Sequence, residues 1–239
     1  MSDLWVWVEE LSASGPVGLS QDEARHVATR RLRVGDSLVV FDGCGRTAQA
    51  QLESLEKRAA LLDVGPIREN PRPTSRPVLA SAIPKGDRLG TMLQMLTQLG
   101  APAWQPLVLE DSAVRKLDPN TARLGRILIE SAKVARRAWR LEVLAPLSLT
   151  ALLDKHGKDV EIAFGDREGD SCGLESRVGL IVIGPEAGFS EAEGAALERA
   201  GARATSFSPH NLRIETAVVA AATAFNLVCP AETGAGRAG

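Results

Sequence analysis

A glycine-rich segment, Gly184-Pro185-Glu186-Ala187-Gly188-Phe189-Ser190, has the composition of a turn that brings its backbone close to a ligand. It follows the apolar run 178–183 and precedes a helical pattern, and glycines after a parallel strand permit such close approach. Ser190 and Glu193 have capping-box spacing, which would fix the helix start and leave backbone N–H groups facing the ligand. The spacing matches neither G-x-G-x-x-G nor a P-loop, and a purely structural strand-to-helix turn is the alternative.

A second segment, residues 207–217, joins a short predicted strand to the last predicted helix and carries a charge in an unusual place. Arg213 directly precedes the helix, where the helix dipole disfavours a cation, whereas Glu215 in the first turn suits the dipole. Positions that break a local rule are often functional sites, so Arg213 is a candidate functional cation. The alternative is a surface salt bridge between Arg213 and Glu215.

Basic side chains are concentrated in three parts of a chain whose formal net charge is only −2. One set, Arg126, Lys133, Arg137 and Arg140, recurs at helical spacing, and a stripe on one helix face can follow a phosphate backbone. The candidate phosphate-binding residues are Arg25, Arg30, Arg31, Arg33, Lys85, Arg88, Arg126, Lys133 and Arg137. The alternative is that these charges are merely solvated.

The elements that must position these residues change character along the chain. Short apolar stretches, glycine turns and one short helix at 21–31 indicate a small β-barrel in the first part. Four prolines make residues 65–77 a stiff linker. Strands that alternate with helices then predict a parallel α/β sheet covered on both faces, with one long helix from Asp118 to about Arg140. The predicted domains are residues 1–70 and 71–239.

The overall composition is that of an ordinary folded protein, with 239 residues, 44% of them hydrophobic and 24% charged. No apolar run reaches the roughly 18 residues that span a bilayer, and the first residues show no secretory signal, so we expect a cytoplasmic protein. Residues 217–225 are apolar all round, which predicts a buried core helix. Cys44, Cys172, Cys229 and the three histidines fit no metal spacing, so we expect reduced thiols and no metal.

Together, these segments resemble the SPOUT class of methyltransferases, and more closely the bacterial family that methylates N3 of a uridine in small-subunit ribosomal RNA. Residues 184–190 match the family's G-P-E-G-G-F-S loop, with Ala187 in place of one glycine. Residues 207–217 match its L-G-x-x-x-L-R-x-E-T-A motif, with Ser208 in place of glycine. The pairing of these two motifs at this spacing is specific.

The resemblance extends over nearly the whole chain. Pro84-Lys85-Gly86-Asp87-Arg88 resembles part of the family's first α/β unit, and residues 31–36 with the following strand resemble its RNA-binding barrel. The family's E-A-x-x-Q-x-G-R stretch is only partly present at 130–137, where the glutamine and the glycine are absent. This departure concerns recognition of the exact base more than binding of the methyl donor.

The resemblance implies a SPOUT-type parallel sheet with a C-terminal trefoil knot, preceded by a small PUA-like β-barrel domain. It implies a homodimer that binds S-adenosylmethionine and small-subunit ribosomal RNA. In this interpretation Arg213 stabilises negative charge on the uracil, and Glu215 orients Arg213 or accepts a proton. The implied donor-binding residues are Phe164, Ile183, Gly184, Pro185, Glu186, Gly188, Phe189, Ser208, Asn211 and Leu212.

Two other functions remain open at this point. A SPOUT enzyme acting on another RNA position or on a ribose 2′-hydroxyl would keep both motifs. A non-catalytic RNA-binding factor would keep the basic residues without needing the donor loop, and the intact loop at residues 184–190 disfavours it.

Overall fold

The computed structural model describes residues 4–73, 77–156, 160–171 and 174–229, so Cys172 lies outside the described residues. The chain forms two compact units. The first contains residues 1–73 and 125–140, and the second contains residues 74–124 and 141–239. The first unit is therefore assembled from two separate stretches of sequence, a return that the sequence did not indicate.

The first unit is built on a mixed sheet and one short helix. Its strands pair in the order β1-β3-β4-β5-β2, with β6 pairing at the start of β4. The β1–β3 pair is parallel, whereas the other described pairs are antiparallel. The terminal strands of this path, β1 and β2, do not pair with each other in the described residues. The elements are β1 Trp5–Trp7, β2 Gly15–Gly18, α1 Gln21–Thr29, β3 Ser37–Phe41, β4 Arg46–Leu55, β5 Ala60–Val64 and β6 Arg68–Glu69.

Alternation along β4 explains why this sheet has a buried face. Ala48, Ala50 and Leu52 are buried while the residues between them are exposed, as the period of two in a strand requires. The Ser20 side chain accepts a hydrogen bond from the Glu23 backbone N–H at 3.3 Å, which caps the start of α1. The apolar face of α1 then packs into the same core.

Helix α3, Ala122–Ala135, is shorter than predicted at both ends. Asp118 does not cap it but accepts a hydrogen bond from the Asn120 N–H at 2.9 Å, while Thr121 Oγ1 accepts from the Leu124 N–H at 3.4 Å. At the other end Arg136 takes a left-handed φ of 51°, which stops the helix. The predicted single helical face through Arg137 and Arg140 is therefore wrong.

Residues 125–140 are held within the first unit by an aromatic contact and a buried ion pair. A Cβ on Gly45 would lie 2.4 Å from the Trp139 ring, so only glycine fits beneath it. Trp139 Nε1 donates a hydrogen bond to the Asn70 carbonyl oxygen at 3.0 Å. The Lys133 ammonium group is buried against the Glu23 carboxylate and also contacts Glu130 at 2.7 Å.

The second unit contains the predicted parallel sheet. Its strands are ordered β12-β10-β11-β7-β8-β9, and every pairing between them is parallel in the described residues. Helices connect most of the strands, as a parallel sheet requires. The elements are β7 Val78–Ala82, α2 Arg88–Gln98, β8 Ala103–Leu107, β9 Glu142–Val143, α4 Leu149–His156, β10 Glu161–Asp170, β11 Val178–Ile183, α5 Glu191–Arg199, β12 Arg203–Thr205 and α6 Ile214–Val228.

The core of the second unit lies between this sheet and its helices. Trp104 is fully buried on β8, and its indole N–H donates to Ser81 Oγ on β7 at 2.9 Å. The last helix, α6, buries Val218, Ala221 and Phe225 within the predicted core stretch, although Thr223 on its other face is exposed. Leu227, beyond that stretch, is 79% exposed. Among the described residues no helix is both long and apolar enough to cross a bilayer.

Candidate active site

A cavity of about 760 Å³ in the second unit is bordered by β10 and by the segments that follow β11 and β12. This volume lies within the range of roughly 300–1,000 Å³ that is usual for small-molecule sites. The two motifs therefore meet in space. All the residues assigned above to donor binding line this cavity, namely Phe164, Ile183, Gly184, Pro185, Glu186, Gly188, Phe189, Ser208, Asn211 and Leu212.

The first wall is the turn that links β11 to α5. The predicted capping box is confirmed, because Glu193 N–H donates to Ser190 Oγ at 3.3 Å and Ser190 N–H donates to Glu193 Oε2 at 3.0 Å. Gly188 has a φ of 86°, and its N–H donates to the Pro185 carbonyl oxygen at 2.9 Å. The left-handed φ requires glycine at that position, and the cap fixes the start of α5 beside the cavity.

The apolar part of the wall is tightly packed. The rings of Phe164 and Phe189 meet edge to face with centroids 5.8 Å apart. A Cβ on Gly184 would lie 3.2 Å from the Phe189 ring, and a Cβ on Gly165 would lie 2.8 Å from Ile183 Cδ1. The two glycines therefore leave room for these side chains, which form a preshaped surface for a flat apolar group.

The second wall follows β12. Ser206 Oγ donates to the Ser208 carbonyl oxygen at 3.2 Å, and the His210 N–H donates to Ser208 Oγ at 3.1 Å. Among described residues other than glycine, only Arg31 and Arg136 have a positive φ. Ser208 therefore carries no left-handed strain where the resembled family has glycine, and its hydroxyl takes part in ordering the turn.

A charged bulge in β10 also lines the cavity, and the sequence analysis missed it. Gly165 and Asp170 both pair with Thr205 on β12, so the residues between them leave the ladder. Asp166 Oδ1 accepts the Glu168 N–H at 2.8 Å within the bulge. Glycines within a strand pattern often mark such bulges, and the G-D-R-E-G spacing was the available signal.

The two residues predicted to be catalytic, Arg213 and Glu215, do not pair with each other in the described residues. Arg213 is exposed at the N-cap of α6 with no side-chain cap hydrogen bond, and it makes no ion pair in the described part of the chain. Neither Arg213 nor Glu215 lines the cavity, although Leu212 and Ile214 do. Glu215 lies instead 4.0 Å from Arg88 on α2, so the described geometry supports neither a surface salt bridge to Arg213 nor orientation of Arg213 by Glu215.

One predicted phosphate contact must be corrected. The Lys133 side chain is only 6% exposed and is paired with Glu23, so a phosphate would have to break a buried ion pair to reach it. Arg88 is half-buried between carboxylates and Arg137 is half-buried, so neither is a fully solvated cation. The remaining predicted phosphate contacts are exposed, namely Arg25, Arg30, Arg31, Arg33, Lys85 and Arg126.

Metal ligands are not clustered in the part of the chain that the structure describes. No group of three or more His, Cys, Asp or Glu side chains has a suitable arrangement there. The polar groups that the cavity offers are backbone amides, carboxylates and the side chains of Arg167, Ser190, Ser208, His210 and Asn211.

Comparison with known proteins identifies families and relatives that this chain is similar to. The model of an RNA methyltransferase domain matches residues 70–226, and that of an RNA methyltransferase PUA domain matches residues 19–65. A ribosomal RNA small subunit methyltransferase E from Mycobacterium bovis is 30% identical over 234 residues, covering 90% of this chain and 88% of that protein. One from Synechocystis is 35% identical over 127 residues, which is 52% of this chain and only 41% of that protein.

A solved structure extends the likeness to the fold. The crystal structure of a ribosomal RNA small subunit methyltransferase E from Neisseria gonorrhoeae, bound to S-adenosyl methionine, is similar with a TM-score of 0.81 and 27% sequence identity. The match covers 95% of this chain and 98% of that chain. The similarity therefore includes the sheet and the segments that border the cavity.

Proposed function

The chain belongs to the RNA methyltransferase family whose members include ribosomal RNA small subunit methyltransferase E, and we propose that it methylates N3 of a uridine in small-subunit ribosomal RNA with S-adenosylmethionine as the donor. The observation that carries the proposal is that the segments at 184–190 and 207–217 border one cavity. If the two motif matches were accidental, the two segments would not be expected to border the same cavity.

The cavity fits a donor of this kind. When bound, S-adenosylmethionine supplies a methyl group on a positively charged sulfur. The backbone of residues 184–189 offers close approach to the ribose and methionine portions, and the backbone near Leu212 offers partners for the adenine. Phe164, Ile183 and Phe189 supply apolar surface for the flat base. Holding donor and acceptor aligned can itself supply several kcal/mol of the barrier.

The acceptor requires a cation outside this cavity. The N3 proton of uridine is weakly acidic and must pass to a base before or during attack, so negative charge develops on the uracil oxygens as N3 loses it. The N3–CH3 bond then forms as the S–CH3 bond breaks, which neutralises the uracil and releases S-adenosylhomocysteine. Arg213 is exposed next to two residues that line the cavity, which suits it to stabilise that charge. Glu215 is held by Arg88 rather than Arg213, and acceptance of the N3 proton is the role left to it in this proposal.

Ribosomal RNA would also contact the first unit. The match to a PUA domain of RNA methyltransferases at residues 19–65 and the exposed arginines around α1 support a phosphate-binding surface there. We propose Arg25, Arg30, Arg31, Arg33 and Arg126 as the phosphate contacts of that surface. In the second unit, exposed Lys85 is proposed as a separate phosphate contact. Methylation of ribosomal RNA would take place in the cytoplasm.

We further propose a C-terminal trefoil knot and a homodimer. The knot is supported by the strand order β12-β10-β11, because the chain must pass from β11 across β10 to reach β12 before it returns to the cavity. The dimer is supported by apolar side chains left exposed on α2 and α6, since Met95 is 39% and Leu227 79% exposed.

The acidic rim of the cavity predicts that binding of the donor S-adenosylmethionine depends more on salt than binding of its product, S-adenosylhomocysteine. The lining carboxylates are Asp166, Glu168, Glu186, Glu191 and Glu198, with Arg167 as the opposing arginine. Raising salt from about 0.05 M to about 0.5 M is expected to raise the donor Kd at least about threefold, because screening weakens attraction to the sulfonium. The Kd of S-adenosylhomocysteine, which lacks that charge, should change less in the same calorimetric titrations. If both ligands showed the same salt dependence of Kd, an electrostatic role for the rim would be contradicted. Glu191→Gln, which removes one rim charge, should reduce the difference in salt dependence between S-adenosylmethionine and S-adenosylhomocysteine.

Methylation of purified small-subunit RNA and of assembled small subunits with labelled S-adenosylmethionine tests the function itself. We expect label in RNA at one uridine, identified as N3-methyluridine by nuclease digestion and mass spectrometry. A ribose-methylated product would keep the methyltransferase assignment and exclude uridine N3. Failure to bind the donor in calorimetry would favour a non-catalytic RNA-binding factor.

A further inference from the structure

Arg88 lies between two carboxylates that belong to the two cavity-bordering segments. Its Nη1 is 3.9 Å from Glu186 Oε1 and 4.0 Å from Glu215 Oε1. Its Nε donates a hydrogen bond to the Lys85 carbonyl oxygen at 3.2 Å, which anchors the guanidinium at the start of α2. Arg88, which does not line the cavity, therefore contacts a carboxylate from each of the two segments that border it.

The Glu215 carboxylate depends strongly on this cation. Its side chain is 14% exposed, and Oε2 is buried without a hydrogen-bond partner among the described residues. Burial of a carboxylate is costly unless a positive charge or hydrogen bonds compensate it. Arg88 is the cation that the described ion pairs place beside it.

Glu186, in the loop that links β11 to α5, contacts the same Arg88 guanidinium as Glu215. It lies in the 184–190 loop and lines the cavity, whereas Glu215 directly follows the cavity-lining Ile214. Both carboxylates approach the same nitrogen of Arg88, so without the guanidinium their like charges would push the two segments apart. At 3.9 and 4.0 Å the contacts are longer than direct hydrogen bonds, which leaves room for adjustment when a ligand binds.

We propose that Arg88 is a positioning residue that sets the spacing between the 184–190 loop and the start of α6, and so tunes the affinity of the cavity for the methyl donor. The inference rests on the proposed function, because it takes the cavity to be the donor site. Arg88 does not itself line the cavity, so it acts through Glu186 and Glu215. This role differs from the phosphate contact that the sequence suggested for the same residue.

The test compares Arg88→Gln, Arg88→Lys and Arg88→Gln/Glu215→Gln with the wild-type protein. Donor Kd is measured by calorimetry without RNA, and RNA Kd and turnover are measured separately. Arg88→Gln should raise the donor Kd about tenfold, equivalent to about 1.4 kcal/mol. Arg88→Lys should recover most of the affinity because it restores the charge, and the double variant should recover part because it removes the buried carboxylate charge. Lys116→Gln, which removes an exposed cation of the second unit that does not line the cavity, is the matched control and should leave donor Kd unchanged.

The alternatives give different results. An unchanged donor Kd in Arg88→Gln, with weakened RNA binding, would overturn the proposal in favour of a phosphate contact. If Arg88→Gln and Arg88→Gln/Glu215→Gln lost the same donor affinity, Arg88 would not act by neutralising the Glu215 carboxylate. If wild-type protein failed to bind S-adenosylmethionine, the proposed function would fail before the Arg88 question arose. Thermal unfolding of Arg88→Gln, compared with that of Arg88→Lys, checks that the affinity lost in Arg88→Gln does not come from misfolding.

Discussion

Replacing Arg213 with alanine is expected to lower the rate of methyl transfer by about 100- to 1,000-fold, the loss that follows removal of one group stabilising a developing oxyanion. Donor affinity should stay nearly unchanged. Arg213 does not line the cavity, while its neighbours Leu212 and Ile214 do, so its side chain is free to meet an acceptor base that approaches from outside. Single-turnover rates with saturating donor and RNA, and calorimetric donor Kd, measure the two quantities separately.

Two further variants make the Arg213 result specific. Arg199 is an exposed arginine in the last turn of α5, and Arg199→Ala should keep the wild-type rate despite the same change in charge. Arg213→Lys should be intermediate, because lysine keeps the charge but lacks the planar fork of donors. Wild-type turnover in Arg213→Ala would remove this residue from the mechanism, whatever the other variants do.

Replacing Lys133 with methionine should lower the free energy of unfolding by about 3 kcal/mol or more, because it leaves the buried Glu23 carboxylate without its cation. Glu23 and Lys133 are each only 6% exposed at their side chains. Glu23 also accepts the Trp7 backbone N–H at 3.2 Å, so the pair joins α3 to α1 and β1 within the first unit. Urea unfolding measures the decrease in the free energy of unfolding. The double variant Lys133→Met/Glu23→Gln should recover part of that decrease, because it also removes the buried carboxylate charge.

A histidine beside this pair provides a second readout. Burial and, next, the positive charge of Lys133 hold the pKa of His26 below its ordinary value of 6.5. In Lys133→Met one of these causes is gone, so the His26 pKa should rise in an NMR titration. The folded wild-type protein binds this proton less readily than the unfolded chain does. The contribution of His26 therefore lowers the free energy of unfolding as the pH falls below about 6.5. This pH-dependent loss should be smaller in Lys133→Met, because the His26 pKa is closer to its ordinary value there.

The control for Lys133 is an exposed lysine of the same unit. Lys57 lies in the turn before β5, and Lys57→Met should change the free energy of unfolding by less than about 0.5 kcal/mol. A similarly small change in Lys133→Met would mean that the ion pair contributes little. It would also reopen the possibility that Lys133 turns outwards to bind RNA.

Local patterns predicted the parts of the site that depend on local chemistry. Ser190 and Glu193 form the predicted capping box because a cap is decided within four residues. The β11 strand at 178–183 was recognisable because a strand buried on both faces is apolar throughout. The meeting of residues 184–190 with 207–217 followed from a family resemblance, since no local rule brings two distant turns together.

Contacts between distant residues account for most of what sequence reasoning missed. Helical spacing placed Lys133 on an exposed stripe, but its partner Glu23 is 110 residues away in sequence. Arg88 was assigned to RNA because nothing in its own segment indicates Glu186 or Glu215. The early end of α3 at Ala135 is set by the left-handed Arg136, a conformation that an arginine gives no reason to expect.

The discontinuous first unit restricts how this protein can be divided or recombined. A fragment cut off at residue 73 would lack residues 125–140, so Glu23 would lose its ammonium partner and Gly45 its covering indole. Exchange of this module between homologues, in evolution or in chimeric proteins, must therefore transplant both pieces of sequence together. A single crossover in the gene would join incompatible halves.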